Sequence, residues 1–335
     1  MQIGFWPASR RTQTGAPALP PHGQNLSVVD PVRVTLADLV RLAPLARQLE
    51  LWREKEVESG GSHHTVFKGR GMEFAETRPY QPGDDIRHID WRVTARSGRA
   101  HTKLFREERE RPVVIWIDLR PSMFFATRGV FKSVLAARLA AMIAWIANAH
   151  GDRVGGRVLT AYNDIVLNVA RGRPAVLRML RAIEKSFSGA AIATPAPEQV
   201  SPTESLRSLA NTIRPGSCVF LLSDFQSIED ASVELLRSIG VHCDITLCHI
   251  HDLLESNLPP PGIYPISSPT GQTAILNSAV TGLRQTYQQR FAARVEHLRS
   301  ETRNHHARYL SISTSDDPIT VLCGAGNHIR PKSHR

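Results

Sequence analysis

From residue 112 onward, continuous apolar runs alternate with amphipathic stretches. Val113-Val114-Ile115-Trp116-Ile117 is unbroken and ends in Asp118, the pattern of a strand buried on both faces. A strongly apolar helix is expected over residues 130–149, then a strand over 153–160 with an antiparallel neighbour over 165–169. Residues 174–187 read as a helix with proline in its first turn, where the missing N–H costs nothing. After a proline-bearing loop over 195–202, a helix over 203–213 follows, with Thr203 placed to cap it. Cys218-Val219-Phe220-Leu221-Leu222 is the clearest buried strand and ends at Ser223-Asp224. Beyond it come a helix over 227–239, a strand over 244–250, a break at Pro259-Pro260-Pro261-Gly262 with a short hairpin, a long polar-faced helix over 278–304 and a last strand over 308–312.

The first part of the chain reads differently. Residues 1–30 are rich in Pro, Gly, Gln and Ser without any period, as in a disordered tail. Thr35-Leu36-Ala37-Asp38 has the form of an N-cap with an acidic residue three positions on. Leu36, Leu39, Val40, Leu42 and Leu45 then share a helical face, which Pro44 kinks or ends. Residues 59–111 are turn-rich, so short strands and tight turns are expected there. The domains expected are a tail over 1–30, a helix and turn-rich segment over 31–111, an α/β domain over 112–325 and a tail over 326–335.

Alternating strands and helices imply an α/β fold: a mainly parallel central sheet with helices on both faces, of Rossmann type, with a small turn-rich N-terminal appendage. Ligands of such sheets bind beyond the carboxyl ends of the strands, where Asp118 and Asp224 both fall. A hard divalent cation takes oxygen ligands from several loops. Asp118, Ser122, Thr203 and Asp224 supply such a set, by the logic of a metal-ion-dependent adhesion site, whose motif is Asp-x-Ser-x-Ser. Here the motif is Asp118-Leu119-Arg120-Pro121-Ser122, so Arg120 replaces one serine ligand with a fixed charge. Three readings stay open. Arg120 points away and a weakened Mg²⁺ or Mn²⁺ site remains; its guanidinium stands in for the cation and meets a protein partner; or Asp118 and Ser122 only cap the next turn.

A second constellation runs from Gly69-Arg70-Gly71-Met72-Glu73-Phe74 through Arg78-Pro79-Tyr80-Gln81-Pro82-Gly83-Asp84-Asp85-Ile86-Arg87-His88-Ile89-Asp90-Trp91 to Ala95-Arg96. Asp84, Asp85 and Asp90 could hold a metal for hydrolysis. Arg78, Arg87, Arg92 and Arg96 lie among them, however, and favour an ionic network that orders loops.

Composition narrows the function classes. The net charge of +10 suits anionic partners, nucleic acid included, but the basic residues form no run of five or six. No C-x-x-C pair occurs among Cys218, Cys243, Cys248 and Cys323, so reduced thiols in a cytoplasmic protein are expected. No apolar run approaches the ~20 residues of a membrane span. His249 and His251 share a strand face without an evident third zinc ligand, and the adjacent pairs His63-His64 and His305-His306 have poor geometry for one metal. Ser122 has no nucleophile elbow, and Gly69-Arg70-Gly71 lacks the P-loop lysine and serine.

The two constellations together resemble the DUF58 family (domain of unknown function 58), which joins such a signature to a von Willebrand factor A-like domain. The matching positions are Gly69, Gly71, Glu73, Phe74, Arg78, Tyr80, Pro82, Gly83, Asp84, Asp85, Arg87, Ile89, Asp90, Trp91, Ala95 and Arg96, continued by Lys103, Phe105 and Glu108. Leu222-Ser223-Asp224-Phe225 and the segment with Asp252, Glu255, Leu258 and Pro259 extend the likeness to about residues 60–325. What the resemblance implies is a non-catalytic accessory protein that works with a MoxR-type AAA+ ATPase in assembling or activating other complexes. Many relatives carry two N-terminal membrane helices, so this chain looks like a soluble subtype. A hydrolase built on Asp84, Asp85 and Asp90, and a basic nucleic-acid-binding protein, are the alternatives.

Overall fold

A computed structural model describes residues 30–47, 49–51, 72–82, 84–107, 111–190, 200–226, 230–267, 273–304, 307–324 and 329–331. Helices α1 (Leu36–Val40) and α2 (Ala43–Ala46) and strand β1 (Leu49–Leu51) come first. Strand β2 (Met72–Pro79), a 3-10 turn at Ile86–His88, helix α3 (Trp91–Ser97) and strand β3 (His101–Glu107) make up the turn-rich segment. The main body runs through β4 (Pro112–Asp118), α4 (Lys132–Ala149), β5 (Arg153–Leu159), β6 (Asp164–Ala170), α5 (Arg173–Ala190), α6 (Pro202–Thr212), β7 (Cys218–Ser223), α7 (Asp230–Gly240), β8 (Asp244–His251) and α8 (Leu253–Ser256). It ends with hairpin β9 (Ile263–Ser267) and β10 (Thr273–Asn277), then α9 (Thr281–Asn304), β11 (Arg308–Ser313), α10 (Pro318–Gly324) and β12 (Ile329–Pro331).

Six strands form one sheet in the order β11-β8-β7-β4-β5-β6. All neighbours are parallel except β5 and β6. Numbered within the sheet, this is the doubly wound order 3-2-1-4-5-6 with an antiparallel third strand, the α/β arrangement expected from the sequence. The chain starts at β4, winds outward through β5 and β6, then returns to β7 on the other side of β4. The order reverses between β4 and β7, so the loops after these strands part and leave a crevice at their carboxyl ends.

Alternation along β4 divides the core in two. Val113, Ile115 and Ile117 face α4, with Leu135, Leu139, Met142 and Ile143 packed against them. On the opposite face Val114 and Trp116 meet Leu206 and Leu209 of α6 and Leu298 of α9. The Trp116 indole donates to the Ser205 hydroxyl at 2.9 Å, which satisfies its one polar atom inside the core. By length and composition α4 could cross a membrane, but 83% of its apolar window is buried inside the protein. It is the central helix of the larger core.

Several sequence expectations need revision. Residues near the N-terminus belong to the main core, because Leu39, Leu42, Ala46 and Leu49 pack with α4, and the Trp145 indole donates to the Leu39 carbonyl at 3.0 Å. The turn-rich segment contains α3, which the glycine-rich composition hid. Within the expected C-terminal tail, Ile329–Pro331 pairs antiparallel with Leu49–Leu51. Thr203 does not cap α6: the helix begins at Pro202, Ser201 holds the cap position, and Thr203 lies inside the first turn. The capping box at Thr35 and Asp38, the break before Pro44 and the 259–262 break before a hairpin are present as expected.

Candidate functional site

Asp118 closes β4 and is fully buried, and its carboxylate is met by four donors. Arg120 folds back on it: Nε donates to Oδ1 at 3.0 Å and Nη2 to Oδ2 at 2.8 Å, a two-point clamp. The Arg120 backbone N–H also donates to Oδ1 at 3.0 Å, and the Ser223 hydroxyl donates to Oδ2 at 2.8 Å. Burial opposes the charge on Arg120, yet its bonds to Asp118 and the nearby Asp224 carboxylate hold its pKa above the usual value. The Arg120 side chain keeps 12% of its surface, and Nη1 has no acceptor among the described residues and is not sealed from solvent.

Asp224 follows β7 across the crevice and is 1% exposed. Burial works against its ionisation, but Lys132 overrides this and lowers its pKa, aided by the Gln226 N–H and the Ser122 hydroxyl. Lys132 is the first residue of α4 and has no exposed surface. Its ammonium donates to Asp224 Oδ2 at 2.8 Å and to Glu255 Oε1 at 2.5 Å. A lysine at a helix N-terminus opposes the macrodipole, and a buried one loses its hydration. Two carboxylates supply its counter-charges there. The residue after Asp224, Phe225, has a non-glycine positive φ of 50° as the loop turns, with its N–H bonded to Ser223 Oγ at 3.0 Å.

The loop after β4 is pinned from the far side of the sheet. Asp252, fully buried after β8, accepts from the Thr127 N–H at 2.8 Å, the Thr127 hydroxyl at 2.6 Å and the Thr314 hydroxyl at 2.7 Å. It also shares a capping box with Glu255 at the start of α8, so the residue that holds Lys132 is itself fixed. Gly129 has φ +73°, and a Cβ there would lie 2.1 Å from the Thr314 carbonyl oxygen, so no other residue fits this close approach.

Asp118, Arg120, Ser122 and Asp224 therefore converge as the sequence suggested, whereas Thr203 turns to the Ser232 hydroxyl of α7 at 2.9 Å. Lys132 is the residue that sequence reasoning missed, and Ser223, read only as part of the family-like strand end, acts at the site by donating to Asp118. A lone lysine opening an otherwise apolar helix was the available signal. The donor set does not fit a divalent cation as arranged. Both oxygens of Asp118 are taken by Arg120 and Ser223, and Asp224 is taken by Lys132, Ser122 and the Gln226 N–H at 3.2 Å. No group of three His, Cys, Asp or Glu with metal-binding geometry occurs among the described residues.

The turn-rich signature resolves into caps and, among the described residues, two ion pairs, Arg78 with Asp84 and Lys103 with Asp90 at 3.9 Å. Asp84 pairs with Arg78 at 2.7 Å and accepts from the Gln81 N–H at 2.9 Å, while the Tyr80 hydroxyl donates to the Asp84 carbonyl at 3.3 Å. Asp85 caps the 3-10 turn through the Arg87 N–H, and Asp90 caps α3 through the Arg92 and Val93 N–H groups. The arginine network expected here holds only for Arg78. Arg87 and Arg96 have no carboxylate partner among the described residues, and Trp91 is 68% exposed. Gly69, Gly71, His63, His64, His305 and His306 lie outside the described residues, as do the side chains of Glu73, Phe74, Phe105 and Glu108. His249 and His251 instead stack near Phe291, and the Tyr309 hydroxyl lies 2.6 Å from His249 Nδ1. Burial, then His251 and Arg294, push the His249 pKa down to about 3.

The fold and the paired loops define an α/β domain with a doubly wound, mostly parallel sheet whose strand-end site is built from ion pairs. The chain belongs to the family described as "Protein of unknown function DUF58", whose model matches residues 76–297. It is 32% identical over 176 residues to the uncharacterized protein Rv1480 of Mycobacterium tuberculosis (strain H37Rv), covering 51% of this chain and 53% of that protein. The uncharacterized protein Mb1516 of Mycobacterium bovis matches to the same extent. The chain thus spans about half the length of these curated relatives. Among solved structures it is similar to BatB of Bacteroides thetaiotaomicron (14% identity, TM-score 0.37, 63% of this chain and 95% of that one). An aerotolerance-related membrane protein of Bacteroides fragilis is also similar (14%, 0.41, 65% and 98%).

Proposed function

We propose that this chain is a non-catalytic interaction module whose Arg120 edge receives an acidic side chain of a protein partner. The partner class is a MoxR-type AAA+ ATPase of the cytoplasm, and the outcome is assembly or activation of another complex. One observation carries the reading: Arg120 is locked in a two-point clamp by a fully buried carboxylate, with Nη1 left toward solvent. A guanidinium held in this way is preorganised, so a partner carboxylate would meet a fixed donor rather than a mobile side chain. The role a cation plays in an adhesion-type site is here divided between Arg120 and Lys132. The capping roles of Asp85 and Asp90 and the Arg78 pair of Asp84 support a structural part for the turn-rich signature.

The test is affinity for the purified MoxR-type ATPase of the same organism, with nucleotide and Mg²⁺ held constant. Arg120→Glu is expected to weaken binding by about a hundredfold, because it repels the carboxylate as well as losing a charge-assisted bond. Arg120→Lys should recover part of it. Equal affinity for wild type and Arg120→Glu would overturn the proposal.

A further inference from the structure

A second feature lies toward the amino ends of β4 and β5, away from the strand-end site. A cleft of about 340 Å³ opens beneath the carboxyl end of α6, between the first residues of β4 and β5 and the edge strand β6. Its size falls at the lower end of small-molecule sites. The sheet makes room for it by a local irregularity: β6 shifts register against β5 between Val154 and Gly156. There the backbone of β6 crosses close over Gly155, where a Cβ would come 2.6 Å from Val169 Cα.

Three arginines reach this cleft, Arg153, Arg157 and Arg214, and no Asp or Glu is among its lining residues. Arg157 is 5% exposed. Its Nη1 pairs with Asp164 and its Nη2 donates to the Ser208 hydroxyl at 2.6 Å, yet its Nε has no acceptor. Arg153 reaches only the Val169 carbonyl, at 3.4 Å, and neither Arg153 nor Arg214 has a carboxylate partner among the described residues. Beside the arginines the walls are apolar, with Val114, Val166, Val169 and Leu209. The carboxyl end of α6 brings a partial negative charge of about half a unit, small against the guanidinium groups of Arg153 and Arg214, while Arg157 is already paired with Asp164.

We propose that this cleft binds a small organic anion, with a carboxylate or phosphate head held by Arg153, Arg157 and Arg214 and an apolar body against Val114, Val169 and Leu209. Neutralising the local positive charge and supplying an acceptor to Arg157 Nε favour the anionic head, since charge-assisted bonds to guanidinium are the stronger ones. Asp164 Oδ1 also lacks a donor. A water bridging it to Arg157 would satisfy both groups without any ligand, and that alternative predicts no anion binding at all. The proposal stands apart from the Arg120 edge and does not depend on it.

Calorimetric titration of the full chain at constant ionic strength tests this with three probes: phenyl phosphate, benzoate and inorganic phosphate. At least one phenyl probe is expected to bind saturably below about 1 mM, and inorganic phosphate about tenfold more weakly than phenyl phosphate for want of the apolar contact. The stronger phenyl probe identifies the head group. Arg153→Ala with Arg214→Ala, both at least partly exposed positions, should weaken it by about tenfold or more, with circular dichroism unchanged. No saturable heat from either phenyl probe would overturn the proposal. So would affinity undiminished in the double variant, or inorganic phosphate binding as tightly as phenyl phosphate.

Discussion

Lys132→Met removes the one cation that Asp224 and Glu255 share while leaving a side chain of similar length in the core. Asp224 keeps the Gln226 N–H at 3.2 Å and the Ser122 hydroxyl, and Glu255 keeps the Asp252 N–H at 2.9 Å. Neither remaining set carries a positive charge, so two carboxylates face each other with Asp224 only 1% exposed. The structure has two escapes. It can bear an unpaired buried charge, at about 3–5 kcal/mol. Or it can protonate one carboxyl, at about 1.4 kcal/mol for each pH unit above its ordinary value, roughly 4 kcal/mol near neutrality. Both routes give about 4 kcal/mol. The sign with pH follows from the second: the variant's raised carboxyl pKa costs stability above the unfolded value, so the deficit shrinks as pH falls toward about 4. Urea unfolding of wild type and variant at about pH 7 and pH 5 reads both quantities. Adding Asp224→Asn and Glu255→Gln should restore most of the loss. A deficit below about 1 kcal/mol near neutrality, or one that does not shrink at the lower pH, would refute the reasoning.

Three further outcomes are expected. His249 is buried neutral with its pKa near 3, so the unfolded chain binds a proton that the folded chain does not between that value and the usual histidine range. Stability should therefore fall as pH drops from about 6.5, by up to about 1.4 kcal/mol per unit, and His249→Asn should flatten the slope of Tm against pH; parallel slopes would exclude His249 as its source. Gly129→Ala should destabilise by more than about 1 kcal/mol in urea, because its φ and the contact with Thr314 both exclude a Cβ. Leu139→Ala, at a fully buried position of α4, should cost about 2–5 kcal/mol by the same assay, and an unchanged midpoint would deny α4 its central place in the core.

The strands of the main sheet were legible because burial on both faces writes an uninterrupted apolar run, as at residues 113–117 and 218–222. Asp118 and Asp224 stood out for the related reason that a carboxylate ending such a run needs an explanation. Arg120 was visible as a departure from a serine, but its geometry was not: it clamps Asp118 alone, and the second carboxylate is served by Lys132. Lys132 escaped notice because a lysine at the start of a helix reads as solvated, and only the fold brings Glu255 to it across more than a hundred residues. Thr203 was misassigned because cap and ligand readings both assumed that the helix began there, whereas Pro202 already occupies its first position. In the turn-rich segment, α3 could have been read from Asp90 as N-cap and Gly98, at φ 69°, as its left-handed stop. The density of glycine and arginine obscured that signal.

The central claim is that fixed cations hold the strand-end site, and titration of Mg²⁺ into the chain by calorimetry tests it most directly. Wild type is compared with the double variant Arg120→Ser and Lys132→Ala, which frees Asp118, Asp224 and Glu255 together. The account predicts no saturable binding to wild type and new Mg²⁺ binding in the variant, weak but measurable and matched by a rise in Tm. Saturable Mg²⁺ binding to wild type, lost on Asp224→Asn, would contradict it.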